Sequence, residues 1–227
     1  MIGASLGIFS QSGTPPFAFG NALEFDGIND YVSLGSSLAI ADQRTLGFWF
    51  KTDAFGDVIF HDSNFGFPYI QILDSTSIRV GTASGSNIKT FTVPTILTGT
   101  WYMCTIRFLT TGTRLYINAV ESSSGAQTQP LSGNISTIGA NYGGSGFGYD
   151  GVLDEVSWWE SDLTPTQIAN QYNSGNGNFA DVDVTPLVWF KLDESGSATT
   201  AVNSGSGGAT YDGTLTNFTL PGAWVAH

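Results

Sequence analysis

The sequence contains little cysteine and little positive charge. Cys104 is the one cysteine among 227 residues, which excludes a disulfide within the chain. Asp and Glu outnumber Lys and Arg by 19 to 7, so the formal net charge is −12. Proteins that bind nucleic acids present clustered basic side chains to the phosphates, whereas the basic residues here are scattered. The composition therefore argues against a nucleic-acid partner.

Long apolar runs are missing as well. No segment approaches the roughly 18–20 apolar residues that a membrane-spanning helix needs. The first residues also lack the basic and apolar regions of a signal peptide, so we expect synthesis in a cytoplasm. Charged residues make up only 11%, against about 25% in an average soluble domain. They are too few for the solvent faces of a helical bundle, which favours a surface of Ser, Thr, Asn and Gly.

Short segments of alternating apolar and polar residues fill most of the chain. In one of them Leu46, Phe48 and Phe50 share a face, and turn residues such as Gly, Asp and Asn separate each segment from the next. Regularly spaced short strands of this kind are typical of a sandwich or a barrel. We therefore predict an all-β protein with antiparallel pairing, with residues 21–227 as a single domain.

One helix and one terminal arm complete the predicted organisation. Thr164, Pro165 and Gln167 form a capping box with proline at the first helical position, and Gly175 supplies a stop. These residues predict a short helix near 164–174. Residues 1–20 are predicted to form an N-terminal arm, and residues 184–227 a late strand and tail on the same sandwich.

Catalytic motifs are weak in this sequence. Asp154 and Glu155 form the densest acidic pair beside aromatic residues, but neighbouring positions of a regular strand point to opposite faces. A glycosidase needs two carboxyl groups that flank the same bond. We therefore predict no catalytic residues and no enzyme activity, with a glycoside hydrolase or lyase as the least favoured function.

Several motifs resemble one family. The run from Asp150 to Trp159 (DGVLDEVSWW), followed by LTPTQI at 163–168, has the order and spacing of the laminin G-like and pentraxin-like domains. The segment ALEFDGINDYV at 22–32 resembles the opening hairpin of the same domains. This resemblance implies the fold of the concanavalin A-like lectin/glucanase superfamily, an all-β jelly-roll sandwich of two antiparallel sheets. It also implies loops on one face that bind calcium and a carbohydrate or protein ligand.

Candidate ligands follow from turn residues and from this resemblance. Hard oxygens of Asp and Asn suit Ca²⁺, and exposed aromatic rings stack on sugars. The pentraxin calcium loops would align with residues 61–64 and 139–142. The predicted ligand-binding residues are Asp62, Asn64, Phe65, Asn141 and Tyr142. The predicted metal ligands are Asp62, Asn64 and Asn141, or, in an alternative structural site, Asp26, Asp30 and Asp154.

The resemblance extends to virion proteins of tailed bacteriophages. It implies a non-catalytic binding or decoration module on the virion surface, a capsid decoration or fibre protein made in the host cytoplasm. We expect its partners to be capsid or tail proteins, surface glycans or both, and we expect a homo-oligomer, with a trimer favoured. The alternatives are a purely structural capsid or tail protein that binds no glycan and, for the location, an extracellular protein.

Overall fold

The described part of the chain forms two packed antiparallel sheets. The computed structural model describes residues 19–62, 68–81, 88–122, 132–140, 148–178 and 183–227. Within these ranges each sheet has eight strands, and all strand pairs are antiparallel. The prediction of an all-β sandwich with two antiparallel sheets is confirmed.

The two sheets draw strands from the whole described chain. In spatial order, sheet A contains β10 (Val120–Glu121), β9 (Gly112–Ile117), β8 (Trp101–Leu109), β3 (Arg44–Thr52), β12 (Asp150–Trp159), β1 (Asn21–Asp26) and β16 (Trp224–Ala226), with β13 (Val188–Phe190) beside the end of β12. Sheet B contains β14 (Thr200–Ala201), β15 (Gly213–Thr216), β2 (Tyr31–Ile40), β11 (Gly133–Ile138), β4 (Asp57–His61), β5 (Tyr69–Asp74), β6 (Ser77–Gly81) and β7 (Ile88–Thr92).

The main core lies between the sheets. Leu46, Phe48 and Phe50 of β3 are at most 1% exposed, as their alternation predicts. The ring of Phe48 packs edge-on against that of Phe60 in β4, with centroids 4.9 Å apart, which joins the two sheets. Cys104 is buried among the same side chains, and burial raises the pKa of its thiol. The cysteine is therefore an inert packing residue.

Helix α1 (Pro165–Tyr172) covers the outer face of sheet A, the face turned away from sheet B. Its capping box is confirmed: the Gln167 amide donates to the Thr164 hydroxyl, and the Thr164 amide donates to the Gln167 side chain. The predicted stop at Gly175 is wrong by two residues. Asn173 ends the helix in the left-handed conformation with φ 44°, and a 3₁₀ turn follows.

A β-bulge changes the expected geometry of the acidic pair. The register of β12 against β3 shifts between Asp154 and Ser157, and Glu155 adopts φ 51°. The extra residue cancels the alternation of side chains, so Asp154 and Glu155 are both buried on the outer side of sheet A. The expectation that they point to opposite faces is wrong, because it assumed a regular strand.

The late chain supplies strands to both sheets. β14 and β15 extend sheet B beside β2, whereas β13 and β16 pair with β12 and β1 in sheet A. The pairing of Asn21 with Ala226 brings the two ends of the described sandwich together. Most of the predicted arm, residues 1–18, lies outside the described residues, so its extent stays a prediction.

Candidate functional site

The first hairpin positions two carboxylates at one end of sheet A. Gly27 has φ 74°, which glycine adopts without strain, and the turn it allows is closed by Asp26. Oδ1 of Asp26 accepts hydrogen bonds from the amides of Ile28 (2.9 Å) and Asn29 (3.3 Å). The amide of Asp26 in turn donates to Oδ2 of Asp30 at 3.2 Å. The D-G turn therefore fixes both acids relative to β1.

An acidic cleft of about 320 Å³ opens beside this hairpin. Its walls come from β1, from the start of β12, where Asp150 pairs with Asp26, and from the segment before β16. None of the described residues that line it is Lys or Arg. The lining residues are Glu24, Phe25, Asp26, Asp30, Asp150, Thr219, Gly222 and Ala223.

The carboxyl groups of the acidic cleft differ in burial and therefore in charge. Asp30 is only 5% exposed, and its Oδ1 has no hydrogen-bond partner in the described part of the chain. Burial, followed by repulsion from Asp26, raises the pKa of Asp30 to about 6. Burial also raises the pKa of Asp150, with smaller effects of Asp53 and Asp26. Glu24 is exposed at the rim.

The cleft does not have the geometry of a metal site. Within the described ranges, no group of three Asp, Glu, His or Cys side chains is placed to hold one ion. Asp154 lies four residues beyond Asp150 on β12, about 13 Å further along the strand, and its carboxyl group contacts His227. The grouping of Asp26, Asp30 and Asp154 as metal ligands is therefore corrected, and Asp154 is not assigned as a ligand.

The predicted loop site is only partly described. Asp62 follows β4, where its amide donates to the carbonyl of Pro68 and its Oδ1 accepts from the Ser136 hydroxyl at 3.4 Å. Asn64, Phe65, Asn141 and Tyr142 lie outside the described residues. Glycan and calcium binding through these side chains stays a prediction.

Sequence reasoning missed part of the acidic cleft. Glu24 could have been found, because it lies two positions before Asp26 on a strand and so shares its face. Thr219 and Ala223 could not, because they are about 190 residues away in sequence and reach the cleft only when β16 pairs with β1. The acidic cleft is thus a product of tertiary structure.

Comparisons with known proteins agree with this architecture. Residues 26–169 match the laminin G sequence profile of the concanavalin A-like lectin/glucanases superfamily. Since the match covers more than half of the chain, the protein belongs to this superfamily. A comparison with curated protein sequences gave no match. Among the described residues, no helix has the length and apolar character required to cross a membrane.

Two solved structures share the fold at low sequence identity. A protein of Bacteroides ovatus described as a candidate carbohydrate-binding protein is 21% identical with a TM-score of 0.66; the match covers 90% of this chain and 60% of that one. A heptameric SAP-like pentraxin of Limulus polyphemus is 18% identical with a TM-score of 0.55, covering 68% of this chain and 82% of that one. At these identities the likeness concerns the fold alone.

Proposed function

We propose that this protein is a non-catalytic carbohydrate-binding module that holds a neutral glycan in the acidic cleft. The observation that carries the proposal is a cleft lined by four carboxyl groups and, among its described residues, by no basic side chain. The superfamily, which includes lectins, supports a sugar as the ligand class. The description of the Bacteroides ovatus relative supports the same class.

The chemistry of the lining residues suits sugar hydroxyl groups. Ionised carboxylates accept hydrogen bonds from O–H donors, and such charge-assisted bonds are stronger than neutral ones. Asp150 and Glu24 offer their oxygens at the wall and rim of the cleft. Uronic or sialic acids would be repelled by the same carboxylates. A volume of about 320 Å³ lies at the lower end of ligand pockets, which suits a short saccharide.

The arrangement favours binding over hydrolysis. A glycosidase needs a protonated carboxyl group that can reach the oxygen of the scissile bond. Asp30 has the raised pKa of such an acid, but its Oδ2 accepts from the Asp26 amide and its Oδ1 has no contact with solvent. The acid is therefore held inside the wall of the cleft, where it cannot protonate a bound sugar.

The test is calorimetric titration with neutral oligosaccharides and with uronate-containing ones of equal length. We expect binding of a neutral ligand that is weakened in Asp150→Asn and Glu24→Gln and unchanged in the control Asp42→Asn, an exposed aspartate outside the cleft. EDTA should leave this binding intact. Preference for uronates, or full binding in both cleft variants, would contradict the proposal.

The same proposal places the module on a virion surface, as a trimer that contacts capsid or tail proteins. An acidic surface with few lysines supports this setting, because it limits adhesion to polyanions. Light scattering of the purified protein measures its mass, and a monomer would contradict the trimer. A trimer that binds none of the oligosaccharides would instead favour the purely structural alternative.

A further inference from the structure

The imidazole of His227 is held between two aromatic rings on the outer face of sheet A. It stacks on Trp101 with centroids 3.9 Å apart and an angle of 4°, and on Phe19 at 3.8 Å and 12°. The ring of Trp49 meets it edge-on at 5.9 Å. The His227 amide also donates to the carbonyl of Gly20. Residues from both ends of the described sandwich therefore cover the same part of the outer face of sheet A.

This part of sheet A contains the buried acidic pair, Asp154 and Glu155. Nδ1 of His227 lies 2.5 Å from Oδ2 of Asp154, and the Glu155 amide donates to Oδ1 of Asp154 at 2.8 Å. The carboxyl group of Glu155 accepts from the indole N–H of Trp189. Asp154 and Glu155 are at most 1% exposed. The bulge at Glu155 thus buries two adjacent carboxyl groups on this face, one in contact with His227 and the other with Trp189.

Few opposite charges face this pair. Asp193 faces both carboxyl groups and raises both pKa values further, and Lys191 acts on Glu155 in the opposite direction. Burial is the largest effect and raises the pKa of Asp154 to about 8; burial and then Asp154 raise that of Glu155 to about 9. Burial, and then Lys51, lowers the pKa of His227 to about 4.

At neutral pH these groups are therefore uncharged. In this state a protonated carboxyl group of Asp154 can donate to an unprotonated Nδ1 of His227, which satisfies both buried groups without an ion pair. Ionisation of both acids would instead leave two like charges on neighbouring residues in a site that excludes water, which is strongly unfavourable. Ionisation of the pair therefore disfavours the closed arrangement.

We propose that Phe19 and His227 form a latch that closes over the protonated Asp154–Glu155 pair and opens when the pair ionises in mildly alkaline solution. Opening admits water to the carboxylates, and it uncovers the rings of Trp49 and Trp101 that His227 now contacts. It also frees the end of β16, whose last paired residue directly precedes His227. The latch lies outside the acidic cleft and does not depend on glycan binding.

Acrylamide quenching of tryptophan fluorescence tests the latch between about pH 6 and pH 10. We expect quenching of the intact protein to rise with pH and to level off by about pH 9, because the closed arrangement raises the two pKa values to about 8 and about 9 and loses its advantage as the pH rises to them. The double variant Asp154→Asn/Glu155→Gln keeps the site neutral and should stay protected throughout. The control Glu160→Gln changes an exposed carboxyl group next to the end of β12 and should behave as the unchanged protein.

A second variant keeps the test decisive if the double variant does not fold. His227→Ala removes the stacked ring and should show, already at neutral pH, the quenching that the unchanged protein reaches only in alkaline solution. Circular dichroism establishes that each sample is folded at every pH. Quenching that is independent of pH in the unchanged protein, or unaffected by His227→Ala at neutral pH, would overturn the proposal.

Discussion

Arg107 and Asp162 form a two-point ion pair that fastens the chain before helix α1 to the outer face of sheet A. Nε of Arg107 lies 2.6 Å from Oδ1 of Asp162, and a second guanidinium nitrogen lies 2.7 Å from Oδ2. The guanidinium also donates to the hydroxyl of Tyr116 at 3.1 Å. The planar guanidinium group of Arg107 therefore joins β8, β9 and the residues that lead into α1.

Replacing Arg107 by Lys should destabilise the protein even though the charge is kept. An ammonium group cannot form two parallel bonds to one carboxylate, so we expect a loss of about 1–2 kcal/mol in the free energy of unfolding. Urea denaturation measures it. A double-mutant cycle with Asp162→Asn should show coupling of similar size, and additive effects would contradict the two-point pair.

The capping box of α1 makes a separate contribution to stability. Thr164→Ala removes the hydroxyl that accepts from the Gln167 amide, and we expect a loss of about 1 kcal/mol. Thr166→Ala is the matched control, because Thr166 is an exposed residue inside the same helix and alanine is the better helix former. Equal losses in the two variants would show that the cap is unimportant.

Gln171 is a buried residue whose replacement should stabilise the fold. It is 0% exposed, and neither its amide nitrogen nor its amide oxygen has a hydrogen-bond partner in the described part of the chain. Gln171→Met keeps an unbranched side chain and removes the uncompensated polar atoms, so we expect a gain of about 1–2 kcal/mol in thermal or urea unfolding. A loss of stability would show that the amide is satisfied in solution.

Asp30 should make stability depend on pH in the acidic range. Its folded-state pKa of about 6 exceeds the ordinary value of 3.8, so the folded state binds more protons than the unfolded one in this interval. Its stabilising contribution is complete below the ordinary value and is lost as the pH rises through about 6. Asp30→Asn should flatten this part of the pH profile in urea denaturation, whereas Asp42→Asn should leave it unchanged.

The sequence predicted the elements of this fold better than its site. Alternation identified the inward face of β3, and the capping box located the helix, because both patterns are local. The sequence did not indicate the bulge at Glu155, because a residue with left-handed backbone conformation in a strand is normally glycine, and here it is glutamate. At Gly151, in contrast, the residue type does indicate the local structure. An added Cβ would lie 2.3 Å from the Lys51 carbonyl oxygen, so the Asp150–Gly151 pair requires glycine at its second position.

The candidate site depended on contacts that local patterns do not contain. Asp26 and Asp30 were recognised as a pair because one turn holds both. Their cleft, however, needs the segment before β16, and that segment is adjacent only after the sheet is complete. The stack of Phe19, His227 and Trp101 joins three distant parts of the chain in the same way.

The pairing of β1 with β16 also determines how the sandwich responds to tension. Asn21 faces Ala226 and Leu23 faces Trp224, so the chain enters and leaves the ladder at the same end of two antiparallel strands. A force that separates Phe19 from His227 would load these hydrogen bonds one pair at a time, as in the opening of a zipper, rather than all together in shear. The stack of Phe19 on His227 and the bond from the His227 amide to the Gly20 carbonyl are the first contacts to bear that load.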